Sequence, residues 1–201
     1  MGISRQQLAA IEDRLKGRRA KAASGAVSSS GNALKNGVLL GVDPSLRGTG
    51  FGVLAMNNST PSSLEHGTIR CPASWAQSRC LATIAATIRA VIKKYTPTIC
   101  VIEGLFFAQN IQTALIMGQA RGAAMAVIAE AGLEIYELAP RKVKQAIVGH
   151  GGAQKDAVAK MVQRQLALAE QPDHDAADAL ALALAFVQTQ TRYALSAPKR
   201  I

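Results

Sequence analysis

The chain has 201 residues, enough for one full domain with a sizeable core plus an appendage. Lys and Arg outnumber Asp and Glu by 23 to 13, and a net charge of +10 suggests a polyanionic partner, most simply nucleic acid, with a merely basic surface as the alternative. Cys71, Cys80 and Cys100 are odd in number and lack C-x-x-C spacing, which speaks for reduced thiols in a cytosolic protein against a disulfide frame or zinc site; the longest apolar run, Ala179 to Val187, is too short for a bilayer.

Residues 4–20, SRQQLAAIEDRLKGRRA, have the spacing of a short amphipathic helix, and KAASGAVSSSGNALKNG after them has linker composition. Seven of the basic and two of the acidic residues lie in the first 36, so residues 1–36 are expected to form a basic Ser/Gly-rich extension without fixed structure. That extension reads either as a nonspecific phosphate-binding arm or as a tail without a role. An Arg-rich, Ser-containing leader is also transit-peptide-like, but Glu12 and Asp13 speak against that.

From Val38 the pattern changes. VLLGVD predicts a short, fully buried strand, GFGVLAM (50–56) a second, and SLEHGTIR (63–70) a third, antiparallel one. Residues 75–95 predict a helix with Leu81, Ile84, Ile88, Val91 and Ile92 on one face, and TICVIE (98–103) an apolar strand ending in an acid. A long Ala-rich helix over 110–131, a strand EIYEL (134–138) and helices over 140–148, 154–168 and 174–191 complete the body, residues 37–192, with 193–201 as a C-terminal tail. Strands followed by alternating helix and strand predict an α/β domain with a five-stranded mixed sheet flanked by helices. Gly118 and Gly122 put small residues on one face of the long helix, which serves either internal packing or a dimer contact.

Four acids stand out by position. Asp43 ends the first strand and Glu103 the fourth, and acids at the carboxyl ends of strands usually mark a site at the sheet edge. In DHDAADALALALAF, Asp173 reads as the N-cap of a helix apolar on almost every side, whereas Asp175 and Asp178 lie three apart on one helix face. Packing that helix across the sheet would bring four carboxylates together, and clustered carboxylates repel unless cations neutralise them. Hard oxygen ligands suit Mg2+, with Mn2+ able to substitute, and a pair of such ions can activate a water and stabilise a leaving oxygen in phosphodiester cleavage. Of the 11 acids beyond residue 36 these are four, so a negative pocket would sit in a surround of 16 basic and 7 acidic residues, as a metal-dependent nuclease requires. Taken singly, Asp43-Pro44 reads equally as a turn start and Glu103 as a cap.

The stretches GVDPSLRGTGFGVL, VIEGLFFAQN, ALIMGQARGAAMAV, APRKVKQAIVGHGGAQK and DHDAADALALALA, in this order, resemble the RuvC family of Holliday-junction resolvases over about residues 38–190. The resemblance implies a ribonuclease-H-like fold, a homodimer, divalent metal, and symmetric nicks in opposing strands of four-way junction DNA, leaving 5′-phosphate and 3′-hydroxyl ends. It implies a place in recombination and repair in the bacterial cytoplasm, at the nucleoid, beside branch-migration partners of the RuvA and RuvB type. Its four catalytic acids fall on Asp43, Glu103, Asp175 and Asp178. Its base-stacking aromatic falls on Phe106, and its two functional lysines on Lys144, near the scissile phosphate, and Lys155, gripping the backbone. Arg141 and Lys142 add phosphate contacts in this reading. Ser45 stands where the family often has Gly, which requires the loop to avoid a strained φ there. His174 lies close enough to the acids to join a metal shell, though an ordinary helix-start His explains it, and His150 stays unassigned. Two other classes remain open: a phosphate-binding ATPase of the actin and sugar-kinase kind, for which the chain is short, and a non-catalytic junction-binding protein that keeps the fold.

Overall fold

A computed structural model describes residues 36–104, 110–192 and 198–201. Six strands form one mixed sheet: β1 (Val38–Asp43), β2 (Gly48–Asn57), β3 (Thr60–Arg70), β4 (Ile99–Glu103), β5 (Glu134–Leu138) and β6 (Lys199–Arg200). Their order across the sheet is β3-β2-β1-β4-β5-β6. The first three form an antiparallel meander, and β1, β4 and β5 run parallel. The β2–β3 hairpin closes through Asn58 and Ser59, both at positive φ, as a primed turn needs. Helices α1 (Gln77–Tyr95), α2 (Ile111–Glu130), α3 (Pro140–Val148), α4 (Lys155–Gln165) and α5 (His174–Arg192) follow in chain order.

The central strands are apolar on both faces because both are covered. Side chains alternate along a strand, so Leu40 and Val42 of β1, with Cys100 and Ile102 of β4, pack under α1 and α2, where Ile84, Ile88, Ala124 and Ile128 meet them. Leu39 and β4's Ile99 and Val101 face the other way, toward α3, α4 and α5. Helix α5 is sandwiched between the sheet and α3 and α4, which is why Ala179 to Val187 are all buried.

Two glycines let α5 lie directly on the sheet. A Cβ on Gly41 would stand 2.0 Å from the Ala179 carbonyl oxygen, and one on Gly50 would stand 1.9 Å from that of Asp175. At these two positions no side chain fits between the strand and the helix backbone.

The sheet has one strand more than the five expected. Lys199–Arg200 pairs antiparallel with β5, and Arg200 bridges Glu134 at 3.2 Å, so the end of the expected tail is a sheet edge. Two charged residues carry no alternation for a sequence reading to catch. The extension expected over 1–36 lies outside the described residues except for Asn36, whose side chain accepts from the Asn58 N–H at 3.1 Å. On α2, Gly118 and Gly122 face open space, which removes the internal-packing reading of those glycines. Among the described residues no helix is long and apolar enough to cross a membrane.

Candidate active site

Strand phase decides where the acids go. Asp43 follows Leu39 and Gly41 on the α5 face of β1, and Glu103 follows Ile99 and Val101 on the same face of β4. The two strands are parallel neighbours in register at Val42↔Ile102, so these carboxyls end up side by side. They are close enough that each carboxyl bears on the other's ionisation. Across from them α5 presents Asp178. A pocket of about 170 Å³, enough for several waters or a hydrated ion, is lined by Asp43, Glu103, Lys144, Lys155 and Asp178 with apolar walls from Val143, Val158 and Leu182. The Lys155 ammonium stands 3.3 Å from the Asp178 carboxylate.

The loop after Asp43 is braced from within. Thr49, fully buried, donates its hydroxyl to the Ser45 carbonyl at 2.6 Å and accepts from the Ser45 N–H at 3.2 Å. Arg47 donates to the carbonyls of Pro72 at 2.6 Å and Trp75 at 3.2 Å. Ser45 is not among the residues at positive φ, so the loop carries Ser in place of Gly without strain.

Negative charge is crowded here. Burial first, then the Glu103 carboxyl and the Asp178 charge, push Asp43 up to about 8, with Lys155 pulling the other way. Glu103 is raised by burial and by Asp178 against the pull of the Asp43 hydrogen bond and the two lysines. Asp178 is raised by burial and, less, by Asp175, against Lys155 and Lys144. Lys155 is raised although burial opposes it, because Asp178, Asp175 and Asp43 surround its charge. Lys155 against Asp178, with Lys144 beside the pocket, supplies the positive charge that offsets the crowded acids.

The donor set fits a hard divalent cation: it is all carboxylate oxygen, and three carboxyls face two lysines, an excess of negative charge once all are ionised. The cluster is nonetheless open. Among the described residues no three Asp, Glu, His or Cys side chains converge tightly enough to chelate an ion. Asp175 accounts for part of this. Rather than sharing the pocket with Asp178 as helix spacing suggests, it lies one turn nearer the helix start against β2, where a Cβ on Gly48 would be 2.6 Å from its Oδ2. Its charge still reaches Asp178 and Lys155.

Of the other expected residues, Lys144 and Lys155 both line the pocket. Lys155, which the resemblance assigns to the DNA backbone, stands at α4's first position facing α5 and pairs with Asp178. Arg141 and Lys142 are exposed on the first turn of α3, beside the pocket. Phe106 lies outside the described residues. His174 stands 3.4 Å from Asp156 of α4 and does not line the pocket, and His150 is exposed in the loop after α3. Asp173 caps α5 as expected, accepting from the Ala176 N–H at 3.0 Å, and also from Thr68 at 2.6 Å and Arg70 at 3.0 Å. Sequence reasoning missed Thr49 and Arg121, which bind backbone next to the acid-bearing strand ends. It also missed the glycines under α5, whose signal was there: Gly48, Gly50 and Gly52 recur at every second residue of one strand.

The family model described as crossover junction endodeoxyribonuclease RuvC matches residues 39–186. The chain is 43% identical over 155 residues to the enzyme of that name from Heliobacterium modesticaldum, covering 77% of this chain and 96% of the relative. It is 42% identical over 146 residues to that from Akkermansia muciniphila, covering 73% and 87%. Among solved structures it resembles Thermus thermophilus RuvC in complex with Holliday junction substrate, with TM-score 0.73 and 31% identity over 82% of this chain and 99% of that one. The yeast mitochondrial Holliday junction resolvase shares the fold at TM-score 0.57 and 12% identity, over 76% of this chain and 78% of that one.

Proposed function

This chain belongs to the RuvC family of crossover junction endodeoxyribonucleases, and from that premise we propose that its carboxylate pocket hydrolyses DNA at four-way (Holliday) junctions, one phosphodiester on each of two opposing strands. The observation that carries the site assignment is the meeting of Asp43, Glu103 and Asp178, from three separate segments, in one pocket with two lysines.

The family is metal-dependent, and Mg2+ in two positions, replaceable by Mn2+, is the reading we favour. Asp43, Glu103 and Asp178 would hold it, with Asp175 on the β2 side. Bound there, the metal supplies a water of lowered pKa and a Lewis-acid contact to the phosphate. The chain's own groups do the rest. Asp43, which burial and the neighbouring acids keep hard to ionise, loses its proton to solvent when cationic charge enters the pocket. Lys144 offsets charge developing on the phosphate, and Lys155 holds Asp178 oriented until DNA and metal arrive. Arg141 and Lys142 take neighbouring phosphates and set register without reading sequence, and Phe106 stacks on an unpaired base at the branch point. Cleavage leaves 5′-phosphate and 3′-hydroxyl ends that a ligase can join.

Two active sites related by a two-fold axis match a junction's approximate two-fold symmetry. We assign the contact between copies to the outer face of α2, where Ile111 is 81% and Leu115 61% exposed. Branch-migration partners of the RuvA and RuvB type, and action at the bacterial nucleoid, are part of the same proposal.

A synthetic four-way junction incubated with Mg2+ tests the reading. Wild type is expected to give paired, symmetric nicks with ligatable ends, and Asp43→Asn none while still shifting the junction in a gel. Binding without nicking by the wild-type chain would leave a junction-binding scaffold.

A further inference from the structure

We infer that the pair of buried Arg121 and half-buried Glu137 is a positioning device for the catalytic acid Glu103, acting through its main chain; this deepens the active-site reading above and rests on it. Arg121 lies on α2 and Glu137 on β5, with side chains only 10% and 21% exposed. The surroundings are apolar: Ala120, Ala124, Val127, Ile128 and Ile135 fill the same layer. Burying an ion pair in such a place rarely stabilises a fold more than well-packed hydrophobic residues would. Something other than packing accounts for it.

Its hydrogen bonds say what. Arg121 donates one nitrogen, Nη2, to the Glu137 carboxylate and another, Nη1, to the backbone carbonyl of Glu103. Glu137 orients the planar fork, and the fork grips the last carbonyl of β4. One residue on, the Gly104 N–H donates to the Leu138 carbonyl at 2.9 Å. The main chain is therefore held on both sides of the peptide that follows Glu103, while the Glu103 side chain points to the opposite face, toward Asp43. A residue ending a strand next to a loop would otherwise fray.

The other acid-bearing strand end has the same design. Among the described residues the buried polar or charged side chains are Thr49 and Arg121. Thr49 clasps Ser45 two residues after Asp43, and Arg121 clasps Glu103 itself. Both pegs hold backbone at strand ends whose carboxyls must meet across the β1–β4 pair. Catalytic constellations need their groups within about 0.5 Å of the productive geometry, and a shift of about 1 Å can cost about a hundredfold in rate.

Two variants test this. Arg121→Lys keeps the charge, but a single ammonium cannot reproduce the fork that spans both acceptors. The double variant Arg121→Met/Glu137→Leu removes both charges together, so no lone buried ion threatens the fold. Three quantities are read for each beside wild type: junction affinity without divalent metal, single-turnover nicking rate against Mg2+ concentration, and the rise in Tm on adding Mn2+. Expected are affinities within about threefold of wild type, nicking slower by about ten- to a hundredfold, a higher Mg2+ concentration at half-maximal rate, and a smaller Mn2+-dependent rise in Tm. A double variant that melts cooperatively, nicks at the wild-type rate and needs no more Mg2+ would overturn the inference, as would affinity falling in step with rate. Wild type that fails to nick at all is a different result and sinks the active-site reading instead.

Discussion

Asp43 is pushed up to about 8 by its burial, by the neighbouring Glu103 carboxyl and by the Asp178 charge, whereas an aspartate in an unfolded chain titrates near about 3.9. Between those values the folded chain binds more protons than the unfolded one, so stability falls as pH rises from about 4 to about 8. The site is a store of like-charge repulsion that the rest of the fold tolerates. Asn in place of Asp43 has nothing to ionise. In metal-free buffer, urea unfolding should therefore show Asp43→Asn close to wild type at about pH 4 and clearly more stable at about pH 8, with Mg2+ narrowing the gap by stabilising only wild type. Parallel pH profiles for the two proteins would mean that the carboxyls do not strain each other. The repulsion itself was legible, since converging carboxyls need counter-charge, but not which groups supply it. Asp43 and Glu103 could be picked out as strand-end acids, but how closely they meet depends on the β1–β4 register, and Lys155 meets Asp178 only because α4 packs against α5.

At the scale of elements, α5 brings its acids to the sheet because β1 and β2 yield it room. Its composition was readable, since a helix apolar all round has to be buried, and so was its cap. Burial alone would raise Asp173, yet Thr68, the Ala176 N–H and Arg70 outweigh it and hold the carboxyl below its ordinary value. Asp173→Ala is expected to cost about 1 kcal/mol, and Asp173→Asn less because an amide oxygen still caps; chemical denaturation at neutral pH measures both. The surface that receives α5 left a signal that went unread, because alternate glycines in a strand look like weakness when nothing shows what approaches them. Their role makes a sharper prediction. A methyl at Gly41 or Gly50 collides with α5 backbone rather than with a movable side chain end, so Gly41→Ala should cost at least about 1–3 kcal/mol. It should also slow nicking, because the helix that shifts carries Asp178. A Gly41→Ala chain that unfolds at the wild-type urea concentration and nicks normally would show that α5 does not rest on the glycines. Arg121 escaped notice for a related reason: its partners lie 18 and 16 residues away in sequence, and only the α2–β5 packing joins them.

The whole molecule has two faces of α2 to account for. One is core, with Ala120, Ala124, Val127 and Ile128 buried. The other runs through Ile111, Leu115, Gly118 and Gly122 at helical spacing, with the first two largely exposed and open space above the glycines. Exposed apolar side chains in a row beside glycines allow a second helix to approach closely. A second copy of this chain placed there about a two-fold axis would set α2 against α2, and each α2 reaches its own active site through Arg121. Dimerisation and catalysis would then share one element. Leu115→Glu separates them, since Leu115 is 61% exposed and makes little contribution to the monomer core. The variant should fold with a Tm within a few degrees of wild type, sediment as a monomer where wild type sediments as a dimer, and lose paired nicking of a four-way junction, because two cuts placed together need two sites held together. A charge is costly only where a surface becomes buried. If Leu115→Glu remains a dimer and still makes paired cuts, α2's outer face is solvent-facing in the assembly and the contact between copies has to be sought elsewhere.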